Sequence, residues 1–93
     1  MRKYEYLYIF DPQQESAEQA IELVKNKYNE IGASIVNENV MGKRKLAYEI
    51  NKKSDGFYYI TQIEIENYSA LPDFEKEIKM NPSVLRVLKF RID

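Results

Sequence analysis

Every second residue of the opening segment MRKYEYLYIF is a large aromatic: Tyr4, Tyr6, Tyr8 and Phe10. A period of two in residues of high strand propensity specifies an extended strand, because successive side chains point to opposite faces. Four rings in a row require a second layer to cover them. The intervening positions Lys3, Glu5, Leu7 and Ile9 change from charged to apolar, so the other face is not cleanly polar. Asp11-Pro12 ends the strand.

The covering layer follows directly. Ala17, Ala20, Ile21, Val24, Tyr28 and Ile31 recur at helical spacing, with Ser16 and Gln19 placed as a capping box and Gly32 as the terminal glycine. Glu15, Glu18 and Glu22 sit early in this helix and Lys25 and Lys27 late, as its dipole favours. Residues 35–50 read as one long extended segment, with a bulge at Gly42. The run KKSDG, with Asp55-Gly56 as a type I′-like turn, leads into a strand whose Tyr59, Thr61, Ile63 and Ile65 share a face. Leu71, Phe74 and Ile78 mark a shorter helix with Pro72 in its first turn, stopped by Asn81-Pro82. SVLRVLKFRI is the fourth strand.

The order βαββαβ, with two helices that cover the same face, points to one domain over residues 1–93. Its fold class is α+β: a ferredoxin-like two-layer sandwich with a four-stranded antiparallel sheet. The other sheet face stays open. Strands one and four, read as central strands, keep apolar residues on both sides: Leu7 and Ile9 in one, Leu85 and Val87 against Leu88, Phe90 and Ile92 in the other. Two-sided hydrophobicity of this kind is ordinarily imperfect patterning, and it also fits a second covering partner.

Composition removes several functions. With no His and no Cys there is no Ser-His-Asp or Cys-His arrangement and no imidazole or thiolate metal site. Asp73, Glu75, Glu77, Glu64 and Glu66 read as solvated faces, with Glu75 and Lys79 spaced as a helical pair. Three glycines form no phosphate-cradling loop, and no motif places an Arg and an Asn for acyl-phosphate chemistry. No enzyme activity and no cofactor are expected. The charged N-terminal segment runs straight into a strand and no stretch approaches the roughly 20 apolar residues of a membrane helix, so a cytoplasmic protein is expected.

Charge is balanced, with 14 Lys and Arg against 15 Asp and Glu, yet the cations are grouped. Arg2 and Lys3 open the first strand, Lys43, Arg44 and Lys45 follow Gly42, and Arg86, Lys89 and Arg91 lie along the last strand. Singly these are strand ends or edge charges; together they outline a discontinuous phosphate-contacting surface. Alternation sends Lys43 and Lys45 to one side and Arg44 to the side of Leu46, Tyr48 and Ile50, where Leu46 and Ile50 read as core and Tyr48 as a structural ring. The segment DGFYYITQ only weakly matches the aromatic strand of RNA-recognition motifs, since Asp55 stands where a cation belongs and Gln62 where an aromatic belongs.

GKRKLAYEI, Gly42 to Ile50, resembles the signature of bacterial small-subunit ribosomal protein six. The resemblance extends through NKKSDGFYYI, the opening MRKYE, the DP after strand one and the closing VLRVLKFR. It implies a non-catalytic component of the small ribosomal subunit that binds small-subunit rRNA in the central domain together with a small basic protein, ribosomal protein eighteen. By position it implies Arg2 and Arg86 as the foremost rRNA contacts, then Lys3, Lys89 and Arg91, with Lys43, Arg44 and Lys45 as local contacts. Leu7, Ile9 and Leu85 would dock the partner. The rival reading is a regulatory ferredoxin-like domain that binds a small metabolite between subunits.

Overall fold

The computed structural model describes residues 1–14, 16–50 and 52–93; Glu15 of the expected acidic helix start and Asn51 of NKKSDG lie outside the described residues. The chain runs β1 (Arg2–Phe10), α1 (Ala17–Ile31), β2 (Ser34–Ile50), β3 (Lys53–Ile65), a 3-10 turn (Tyr68–Ala70), α2 (Leu71–Lys79) and β4 (Val84–Arg91). The four strands form one antiparallel sheet in the order β2-β3-β1-β4. This is the expected ferredoxin-like α+β sandwich. It places β4 at an edge, where the sequence reading had it central.

Capping follows the chemistry of the sequence. Ser16 accepts from the Gln19 amide at 3.2 Å, and the Gly32 amide donates to the carbonyls of Tyr28 and Asn29. Pro72 falls in the first turn of α2, where a missing N–H costs nothing. Lys25 and Lys27 do not reach the last turn of α1. They act as cross-braces instead, Lys25 to Glu38 at 3.2 Å and Lys27 to Glu77 of α2 at 3.0 Å.

The covered face is a tyrosine core. Tyr6, Tyr8, Phe10, Tyr28, Tyr59, Ile63 and Ile78 are buried together, with the Tyr6, Tyr8 and Phe10 rings stacked along β1 at centroid spacings of 5.7 and 5.9 Å. A buried phenol needs a hydrogen-bond partner to offset its desolvation. Tyr8 shares a 2.5 Å bond with Tyr28, whose hydroxyl also meets Thr61 Oγ1 at 2.6 Å. Tyr6 donates to Glu75 at 3.1 Å, and Tyr59 donates to Glu38. Among the described residues no buried side-chain polar atom is left without a partner.

The β2–β3 hairpin departs from the sequence reading. Ile50 pairs with Lys53, so the chain reverses between these two residues, with Lys52 at φ 64°, and Asp55-Gly56 lies inside β3 opposite Lys45 and Arg44. Gly56 is required for a different reason. A Cβ there would lie 2.5 Å from Ile9 Cγ2 and 3.3 Å from Leu46 Cδ2, so its missing side chain lets those two close over the strand. The bulge at Gly42 is present, with a register shift between Val40 and Gly42 and a left-handed φ of 86°.

The last β1–β3 pair is Phe10 with Phe57, so β2 and β3 continue beyond it as an arm without β1 alongside. Within the arm the ladder passes from Lys45–Asp55 directly to Ile50–Lys53, leaving Leu46, Ala47, Tyr48 and Glu49 against Ser54 alone. The surplus residues break simple alternation. Leu46 is buried against Ile9, Ile50 is only half-buried rather than core, and Tyr48 is 62% exposed rather than a structural ring.

Candidate RNA and partner interface

The open sheet face changes character along its length. At one end Lys3 pairs with Glu64 at 3.4 Å and Gln62 donates to Glu5 at 3.1 Å, a self-satisfied polar patch. In the middle the register aligns Leu88, Leu7 and Ile60 across β4, β1 and β3, with Phe90 next to Leu88 on the same side. Leu88 is 38% and Phe90 52% exposed, while Leu7 and Ile60 are half-buried. An apolar row bordered by polar residues is the form of a protein-docking surface.

At the other end Arg86, opposite Ile9, donates from Nη1 to the Tyr48 hydroxyl at 3.0 Å. Tyr48 belongs to β2, two strands away from β4's neighbour β1, and only the curled arm brings it there. The Tyr48 hydroxyl therefore holds Arg86. Among the described residues no ion pair or side-chain hydrogen bond engages Lys43, Arg44 or Lys45. These three exposed cations stand along the arm, Lys43 at a polar hollow that Asp11, Gln13, Lys52, Lys53 and Asp55 also line.

The remaining cations face the helix layer. Arg2 lies 3.7 Å over the Tyr68 ring and donates to the Tyr4 hydroxyl at 3.3 Å. Lys89 is placed between Glu75, at 3.1 Å, and the Tyr4 ring, at 5.4 Å. Arg91 binds Asp93 at 2.9 Å, which holds that carboxyl below its ordinary range. The eight basic positions thus divide into three groups: Lys3 and Arg86 on the open side of the body, Arg2, Lys89 and Arg91 around Tyr4, and Lys43, Arg44 and Lys45 along the arm from its base, with Arg44 on the open side.

Of the three expected docking residues, Ile9 shares the open face with Leu7 but is buried there, and Leu85 is set off by a bulge. Ile9 is 5% exposed, already covered by Leu46, and Leu85 occupies a β4 bulge, since Ile9 pairs with Arg86 and Phe10 with Val84. Leu7 is in the apolar row. Ile60 joins it there, on the side opposite Tyr59 and Thr61. Tyr48 was misassigned because nothing in its spacing announces the surplus residues of the arm.

Fold and surface together define a small two-layer α+β domain, with one sheet face left uncovered by helices and cations distributed at its margins. The Ribosomal protein S6 family matches residues 3–91. Relatives named small ribosomal subunit protein bS6 from Shouchella clausii and Halalkalibacterium halodurans are each 41% identical, over 95% of this chain and 94% of their own length. The crystal structure of 30S ribosomal protein S6 from Thermotoga maritima superposes with a TM-score of 0.87 at 30% identity, covering 98% of this chain and 87% of that one. A likeness to the C-terminal domain of MgtC from Mycobacterium tuberculosis, TM-score 0.68 at 11% identity over 99% of this chain and 88% of that one, reflects the fold alone. The chain belongs to the ribosomal protein S6 family. It is a structural small-subunit protein of the bacterial cytoplasmic ribosome and not an enzyme.

Proposed function

We propose that the chain binds the central domain of small-subunit rRNA jointly with ribosomal protein eighteen, a small basic protein, and needs no cofactor or small-molecule substrate. The observation that carries this reading is the open sheet face, where Leu7, Ile60, Leu88 and Phe90 form an apolar row next to Arg86. A chain of net charge −1 gains little affinity for RNA from long-range attraction alone, so a cationic partner seated on that row would supply much of the phosphate neutralisation. Arg86, Arg44, Lys43 and Lys45 then reach phosphates at the arm end. Arg2, Lys3, Lys89 and Arg91 contribute from the opposite end of β1 and the edge of β4, where Arg2, Lys3 and Lys89 exchange internal partners for RNA.

The test is titration of a central-domain rRNA fragment with this chain, with and without the basic protein, at two salt concentrations. Tight binding only in the ternary mixture, weakening as salt rises, is the expected result. Binding of equal strength without the basic protein would remove the shared surface from the account.

A further inference from the structure

The Arg2–Tyr68 and Arg86–Tyr48 contacts differ in a way that bears on ligand binding. Arg2 lies flat on the Tyr68 ring, 3.7 Å from its centroid, and closes that face. The Arg86 guanidinium carbon is 5.7 Å from the Tyr48 centroid while Nη1 is 3.0 Å from the hydroxyl. The contact is made through the phenol oxygen rather than against the centre of the ring. Tyr48 is 62% exposed, so its ring remains open to solvent beyond this contact, and the single bond to the hydroxyl leaves the other guanidinium N–H groups available.

We propose that Tyr48 and Arg86 form a single-nucleotide site on the open sheet face, the Tyr48 ring stacking an unpaired base and Arg86 binding its phosphate. This rests on the rRNA-binding reading above and specifies where one strand of that RNA is held. Unpaired bases are recognised by stacking on aromatic rings beside cations, and every base offers a π face, so the site is tolerant of sequence. Charge complementarity favours this occupant: among the described residues neither Arg86 nor Arg44, on the same side of the arm, has a carboxylate partner. The hydroxyl bond keeps the guanidinium in place before RNA arrives, so less side-chain freedom is lost on binding.

The chain contains no Trp, so Tyr48→Trp creates a single indole whose emission reports on its own surroundings. The experiment adds the central-domain rRNA fragment to this variant in complex with the basic protein, and follows binding and fluorescence together. Expected are near-native affinity and strong quenching, since an indole stacks at least as well as a phenol. Tyr48→Leu should bind roughly tenfold more weakly with an unaltered salt slope. Arg86→Ala should lower the slope of log K against log salt by about one. RNA binding without quenching, or a Tyr48→Leu variant of native affinity, would overturn the site and leave the rRNA-binding reading intact. A Tyr48→Leu loss already present for the basic protein without RNA would make this a protein contact and overturn it likewise. Absence of RNA binding by the native complex would overturn both.

Discussion

At the residue scale, burial separates positions that the sequence presents alike. Tyr48 and Tyr59 are both tyrosines in strands, yet one is 62% exposed and the other is fully buried. Tyr48→Ala should therefore leave the thermal midpoint nearly unchanged, where truncating a fully buried aromatic costs about 3–5 kcal/mol. A large drop in a melting curve would show that the ring supports the arm. Gly56→Ala should do the opposite, costing roughly 1–3 kcal/mol by forcing a Cβ against Ile9. Denaturant midpoints check this, and Ile9→Val, which shortens the side chain but keeps Cγ2, should not relieve it. The requirement at Gly56 was visible as a glycine after an aspartate, a pairing that ordinarily marks a turn. Only the three-dimensional approach of Ile9 and Leu46 reveals why it is there.

At the scale of elements, the phenol chain links β1, α1 and β3 through Tyr8, Tyr28 and Thr61. Tyr28→Phe should cost about 1–3 kcal/mol by leaving the Tyr8 and Thr61 hydroxyls short of a buried partner. Burial raises the pKa of both phenols above the ordinary value near 10, since the charged form would lie in the core. The unfolded chain ionises near that value and the folded chain does not, so this stability is complete below about pH 10 and is lost as pH rises further. The slope is about 1.4 kcal/mol per pH unit for each phenol. Denaturant melts across the alkaline range should show the decline, and Tyr28→Phe should flatten it by one proton's worth. The elements themselves were legible from periodicity and caps, because Ser16, Gly32, Pro72 and Asn81-Pro82 act locally. The hairpin reversal was not, since more than one step of NKKSDG can play that role in sequence, and the Ile50–Lys53 register decides against Asp55-Gly56.

At the scale of the whole molecule, the cations are spread over both faces and the arm rather than gathered in one patch. Replacing Lys43 and Lys45 together by Ala should weaken assembly with rRNA and lower its salt dependence, leaving stability within about 0.5 kcal/mol because neither supports a packed group. Filter binding at several ionic strengths would show it; an unchanged slope would assign the arm to solvent. The family was readable from GKRKLAYEI, whereas the layout of its surface was not. A basic residue in sequence does not disclose whether Glu75 or Glu64 already neutralises it.

The four-against-one mismatch of Leu46 to Glu49 with Ser54 also bears on how chains of this kind can diverge. Insertion or deletion within a regular ladder would shift every later side chain to the opposite face. Here the surplus is already stored beyond the last β1 pair, so a residue gained or lost would be absorbed without displacing a core ring. Changes of length should therefore accumulate in this arm, which would alter the reach of Tyr48 while the tyrosine core stays in register.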